Sequence, residues 1–347
     1  MKKLIFLILL ISASNITYGQ EYTTKTFKRT IESIGYSWDF ERRYLAGQAE
    51  KEPLIVSPGN YLEMKLYDNE LWFKDWSSMN FRILDLNTQK EQVRGKRGPG
   101  PYGENGQIMF FDKTDEGVHL YDFDKRTLKG FSTESFEMLN SSQNKEIAFY
   151  RGAYLGDARY LLRYDNSLND HGFSFIVYNA ETKSTEKIYN VAKLLGVEEF
   201  SDMEMSYSGR FVTSTDRKHI FYYCDHGGRV FKFDGSGTFE FTKATVDKTP
   251  IPGVKKHEFG SGYAPRPTLG VEFFLDAAAN ETHLILLNIL EKGEGHVVDF
   301  YNVKDGKYDY SLHISDLGEQ EAALIAANNN SLYVMYEEND IVKYELK

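Results

Sequence analysis

The chain is poor in several features that would define an exported domain or mark an enzyme. It holds one cysteine, Cys224, in 347 residues, so no internal disulfide can form and stability must come from packing. Its 8 prolines fall in three clusters, Pro53 with Pro58, Pro99 with Pro101, and Pro250, Pro252, Pro265 and Pro267. None is expected inside a strand, where the ladder needs every N–H. No apolar run reaches the roughly 20 residues that a membrane-spanning helix needs; the most apolar internal stretch, His283–Leu290, is ended by Glu291-Lys292-Gly293. Positive charge is in deficit, with 41 Lys and Arg against 51 Asp and Glu and a net charge of −10. That balance argues against nucleic acid or an anionic membrane as partner. Also missing are a G-x-S-x-G elbow, an H-E-x-x-H helix and a glycine loop leading into a phosphate-binding helix.

What the chain does have is aromatic bulk and repetition. Phe and Tyr, 24 of each, suit strands whose two faces both meet protein. Six segments share one design, an apolar strand, a polar turn and a second strand: Leu71–Leu86, Val118–Ser132, Tyr160–Asn179, His219–Asp234, His283–Asn302 and Leu332–Leu346. Their starts lie 42 to 64 residues apart, a spacing that suits propeller blades of about four short strands. The sequence therefore predicts an all-β fold, a six-bladed β-propeller. Flanking strands are expected at Arg210–Thr215 and Thr238–Thr242 in the fourth blade and at Val271–Asp276 and Tyr308–His313 in the fifth. In the second blade the outer strand is expected at Glu146–Tyr150. The sixth copy runs into the C-terminus and lacks an outer strand. The alternating segment Tyr22–Ile31 is expected to supply it, closing the ring and covering its edges. The link Asn190–Phe200, apolar at helical spacing, is expected to carry one short helix.

Ahead of the repeats, Lys2 and Lys3 precede the apolar run Leu4–Ile11 and the small and polar residues up to Thr17-Tyr18-Gly19. This is the pattern of a secretory signal peptide over residues 1–19, with cleavage after Gly19. Residues 20–347 are then expected to form a single domain. No cysteine follows the apolar run, so an exported protein without a lipid anchor is expected, at the periplasm or the cell surface and monomeric. Without Lys2 and Lys3 the balance is 39 basic against 51 acidic side chains.

Strand parity carries the reading toward function. In four-stranded antiparallel blades, the links from outer to next inner strand and the turns from second to third strand emerge on one face of the disc. Here those links are long (Ser33–Asn60, Arg94–Gly106, Asn190–Asp202, Lys243–Gly270), and the turn Asp165–Gly172 joins them. Long loops on a rigid frame are where binding surfaces are built. They gather Arg42, Arg43, Arg94, Lys96, Arg97, Lys255, Lys256 and Arg266, with the aromatic Trp38, Tyr44, Tyr102, Phe259 and Tyr263. Basic and aromatic residues on one rim of an acidic protein suit an anionic or sugar-like ligand or an acidic peptide. Solvated link charges are the plainer explanation, and Glu41, Glu50, Glu52 and Glu258 stand among them.

The link Arg94-Gly95-Lys96-Arg97-Gly98-Pro99-Gly100-Pro101, followed by Gln107–Asp112, resembles the G-x-x-G-x-G-P-G loop of TolB-like six-bladed propellers secreted by Gram-negative bacteria, which are relatives of NHL-repeat propellers. Pro101-Tyr102-Gly103 departs from the pattern, in which a Glu and an aromatic residue commonly follow. The resemblance implies the propeller fold, an envelope compartment and protein partners, and no particular chemistry.

Other constellations point less far. Cys224 and His226, with His219 nearby, fall short of the three or four convergent ligands that a metal needs; a packed thiol beside a turn histidine accounts for them. Asp165, Ser167, Asn169 and Asp170 could offer oxygens to calcium, but their spacing is not that of an EF-hand and such turns are common for conformational reasons. Propeller lactonases and lyases hold a metal in the central channel, where Asp112 and Asp276, at the ends of expected inner strands, are the best candidates. The preferred reading is a binding or interaction module for an anionic glycan, a peptide or an envelope protein, with no cofactor. The alternative is a metal-dependent propeller hydrolase or lyase.

Overall fold

The computed structural model describes residues 42–45, 48–49, 53–97, 104–144, 149–166, 172–196, 207–249, 254–259, 262–267, 273–291 and 295–346. They form six antiparallel sheets around a channel, one for each repeat read from the sequence. The first blade runs from the inner strand Tyr61–Tyr67 through Glu70–Asp75 and Asn80–Asp85 to the outer strand Glu91–Arg94. The inner strands of blades two to six are Ile108–Thr114, Gly152–Gly156, Gly209–Thr213, Phe274–Ala279 and Ala322–Ala327.

The second and third strands of each blade are the segments that the repeats revealed, and their double burial explains why. In the second strand of blade four, His219–Cys224, every residue after His219 is buried. A pleated strand puts alternate residues on opposite faces, so an unbroken apolar run requires protein on both. Neighbouring blades supply it. Phe175 of blade three meets Phe211, Tyr222, Phe231 and Phe233 of blade four at centroid distances of 4.8 to 5.8 Å. Cys224 lies in this same buried cluster, where burial first and the Asp225 charge second push its thiol pKa up.

The face opposite the links is built from tight turns with one recurrent device. Asp85, Asn179, Asp234 and Asn302 each end a third strand, and each accepts backbone N–H bonds from residues two to four further on. A left-handed residue follows in each turn, at Gln89, Lys183, Gly237 and Gly306. Such side chains replace a backbone acceptor and tolerate the reversal.

Four expectations are corrected. In blade two the outer strand is Met138–Gln143, entered through a turn that Ser132 caps. Glu146–Tyr150 is not that strand; residues 145–148 lie outside the described residues, and Phe149 packs between Tyr121 and Tyr178. The ring is closed by the N-terminal part of the chain, but through Gln48–Ala49 and Leu54–Ile55, which pair antiparallel with Asp340–Glu345. They occupy the edge assigned to Tyr22–Ile31, a segment outside the described residues. Pro265 lies inside a strand, Gly262–Pro267, paired with Val254–Phe259; a two-stranded ribbon leaves alternate N–H groups unpaired, so it admits proline. The fifth inner strand starts at Phe274 rather than Val271. The expected short helix is present as Val191–Leu195, its start capped by Asn190 and its end by left-handed Gly196.

Ahead of the closing strand, Tyr44–Leu45 adds in parallel to the outer strand of blade five. This places Arg42 in a buried polar cluster. Its guanidinium donates to both carboxylate oxygens of Asp299, at 3.0 Å each, and to Asp247 at 3.2 Å. Asn288 and Ser311 donate to the same Asp299. Burial alone would lower the Arg42 pKa, but the bond to Asp299 and the charges of Asp299 and Asp247 outweigh it and raise it. Burial, then repulsion from Asp299, pushes Asp247 up to about 6.

Candidate functional site

The six inner strands line a central cavity of about 1690 Å³. All six run from the link face to the turn face, so register along them gives depth. At the link end stand Arg151, just before the third inner strand, Arg163, whose N–H donates to the Arg151 carbonyl, and Arg210, second residue of the fourth inner strand. At mid-depth are Glu63, Lys65, Lys74, Asp112 and Asp276. At the turn end Asp68, Asp115, Glu116, Asp216 and Glu281 outnumber Lys113 and Arg217. Among the described residues the lining is thus basic at the link end and acidic at the turn end.

The mid-depth charges are matched. Lys74 lies 2.7 Å from Glu63, and Lys65 lies 3.1 Å from Glu63 and 3.2 Å from Asp112. Burial would raise the Glu63 pKa, but the two lysines outweigh it and bring it down to about 2. Asp112 also accepts the Tyr154 N–H at 2.8 Å, and Asp276 accepts the Ile325 N–H at 2.9 Å. Each carboxylate therefore ties its inner strand to the inner strand of the next blade. Burial pushes Asp276 up to about 7, against the Arg210 charge and the two N–H donors of Ile325 and Ala277. The two candidates for a channel metal belong to blades two and five, on opposite sides of the ring, and engage backbone instead of converging. Among the described residues no group of three His, Cys, Asp or Glu side chains could hold a metal ion.

The link-end arginines are held differently. Gly209 brings the fourth inner strand against its neighbour: a Cβ there would sit 2.0 Å from the Tyr223 carbonyl oxygen. Arg210, one residue on, lies 3.6 Å from Asp225 and donates to the Leu275 carbonyl. Arg163 donates to Ser208 Oγ at 3.2 Å and lies over the Phe173 ring. Arg151 donates to the carbonyl of its own neighbour Tyr150 at 3.1 Å. No described carboxylate lies within ion-pair distance of it. Burial, then the charge of Arg210, pulls its pKa down.

The sequence-predicted rim residues divide. The Arg42 charge is neutralised inside the fold. Arg43 is exposed, its N–H donating to Tyr308 Oη. Arg94 ends the first blade and donates to Gln92. Lys96 and Arg97 pair in parallel with Glu104 and Asn105. In the link hairpin Lys255 pairs with Arg266, Lys256 with Pro265 and Tyr263 with Glu258. Tyr102 lies outside the described residues, as do Ser167, Asn169 and Asp170. The two basic links leave the ring after blades one and four, on opposite sides of it.

Sequence reasoning passed over Arg151, Arg163 and Arg210. The available signal was a cation interrupting strands otherwise apolar, as in Tyr160-Leu161-Leu162-Arg163-Tyr164.

No family model matches the chain, and no curated protein matches it in sequence. Among solved structures it is similar to a member of the DUF4221 family from Bacteroides vulgatus, with a TM-score of 0.55 and 11% identity over 88% of this chain and 99% of that one. It is also similar to a candidate exported protein of Bacteroides fragilis, with a TM-score of 0.52 and 10% identity over 90% and 97% of the two chains. At such identities the shared property is the fold.

Proposed function

We propose that the protein is an exported binding module that takes an anionic ligand, of the acidic glycan or peptide class, on its link face. The observation that carries this reading is the charge gradient of the channel, whose basic end lies on the face from which the basic links Arg94–Arg97 and Lys255–Arg266 leave the ring. Export is supported by the basic and apolar start of the sequence, and the TolB-like, NHL-like resemblance of the Arg94–Pro101 link suits an envelope location. Mid-depth carboxylates that pair with lysines and backbone N–H groups favour binding over metal chemistry.

The test combines location and charge. Envelope-localised protein should begin at Gln20 by mass spectrometry; an intact Met1–Gly19 would refute export. Binding of an acidic polysaccharide such as polygalacturonate should weaken steeply with salt, since exposed charges are screened over about 8 Å at physiological ionic strength. Arg97→Glu with Lys256→Glu should weaken it further without changing the fold. Salt-independent binding, or none, would refute the reading.

A further inference from the structure

We infer that Trp76, Gln107 and Asn60 form a sugar-ring subsite at the link end of the channel, between blades one and two, and that the module's ligand is a saccharide rather than a peptide. The inference rests on the binding-module reading above and chooses between its two ligand classes. Gln107 is only 8% exposed and lines the cavity, yet its side-chain amide has no hydrogen-bond partner among the described residues. Buried amides are nearly always bonded, and one that is not calls for a reason. Here the amide borders a cavity, where a ligand can take both its donors and its acceptor. Trp76 is half-buried in the same lining, and its indole meets no ring, cation or hydrogen-bond acceptor among the described residues. Trp72, four residues earlier, shows the usual case: its indole donates to Glu70 at 2.9 Å and packs against Tyr67 and Phe81. An indole without such partners has a flat face and an N–H to offer.

Register brings these side chains to one boundary. Lys74 donates to the Met109 carbonyl at 3.2 Å, from blade one to blade two. Trp76 lies two residues beyond Lys74 toward the link face, and Gln107 two residues from Met109 in the same direction. Both stand on fixed backbone. The Trp76 N–H donates to the Asn60 carbonyl at 2.8 Å, and the Asp75 carboxylate holds the turn that follows through Ser77 N–H and Ser78 Oγ. The Gln107 N–H donates to Asp124 at 2.9 Å, and its carbonyl accepts the Phe123 N–H at 2.8 Å. Asn60 is exposed beside them, its own amide unbonded among the described residues. A flat indole with open amides next to it suits a pyranose, whose C–H face covers the indole. Neighbouring hydroxyls of a sugar present a donor and an acceptor side by side, as one amide requires; the N–H and C=O of a trans peptide point opposite ways. The cavity of about 1690 Å³ exceeds the roughly 300–1,000 Å³ that suffices for most small ligands, which leaves room for more than one ring.

Calorimetric titration of the signal-free protein would use three probes: tetragalacturonate, a sulfated heparin tetrasaccharide and the acidic peptide hexaglutamate. At least one saccharide is expected to bind, and hexaglutamate at least tenfold more weakly. Trp76→Leu should lower saccharide affinity at least tenfold, and Trp76→Phe, which keeps a flat face, should lower it less. Gln107→Leu should lower it about fivefold, the scale of one hydrogen bond, with the melting temperature unchanged or raised, because the amide bonds nothing within the fold. Hexaglutamate that binds as tightly as the saccharides would overturn the inference, as would Trp76→Leu and Gln107→Leu proteins that bind as before. If the Arg97→Glu, Lys256→Glu protein loses affinity in either case, the binding-module reading stands and only the sugar subsite falls. If none of the probes binds, both fail.

Discussion

Two partly buried arginines in this protein are used in opposite ways. Arg42, from the N-terminal arm, meets Asp247 and Asp299 inside blade five, and its charge is fully answered. Arg151, at the link end of the channel, donates to a backbone carbonyl and has no described carboxylate in ion-pair reach, with Arg210, Asp225, Glu63 and Arg163 acting on it from further away. A matched buried charge fixes the chain in place. Under the proposed binding reading, this contrast separates the ring's fastening from the channel end where a ligand would enter.

The contrast can be broken most severely at the fastening. A chain beginning at Ser33 keeps Arg42, Gln48–Ala49 and Leu54–Ile55 and should melt as the longer protein does. A chain beginning at Val56 loses all three, exposes the edge of Asp340–Glu345 and should aggregate or lose its cooperative transition. Light scattering with calorimetry distinguishes these outcomes, and a well-behaved Val56 chain would contradict the closure described.

Next in size is Arg42→Ala. Removing one partner of a buried ion pair leaves the other uncompensated and costs about 3–5 kcal/mol, here with Asp247 and Asp299 both stranded. Denaturant unfolding should show that loss. A change below about 1 kcal/mol, the scale of an exposed pair, would mean that Arg42 fastens nothing.

Asp276 gives a smaller, pH-dependent effect. Its folded pKa, about 7, lies above the unfolded carboxylate value, so between those values the folded protein holds a proton that the unfolded chain releases. Its contribution to stability is complete at low pH and is lost as pH rises toward 7. Asp276→Asn keeps an acceptor for the Ile325 N–H and removes the titration. The variant should therefore gain on the natural protein between pH 5 and pH 8, by up to about 1.4 kcal/mol for each unit by which the pKa is raised. Parallel stability curves would show that the carboxyl is ionised throughout.

What could be read from the sequence follows from burial. The second and third strands of each blade announce themselves because both faces are apolar, as in Leu332–Tyr336. Outer strands do not: Met138–Gln143 faces solvent along nearly its whole length, so the apolar Phe149 nearby drew the strand assignment instead. The closing strand was hidden because it is two pairs of residues interrupted around Pro53. Parity located the basic links on one face, but it could not tell which inner-strand side chains line the channel. Arg151, Arg163 and Arg210 are ordinary arginines until three strands bring them to one depth.

The smallest expected change is the most telling. Melting temperatures of the natural protein and of Gln107→Leu should be measured against rising tetragalacturonate. The natural protein should start at or below the variant and climb with ligand, as binding to the folded state requires, while the variant climbs less. A variant that starts lower and climbs equally would make Gln107 a structural residue and contradict the account.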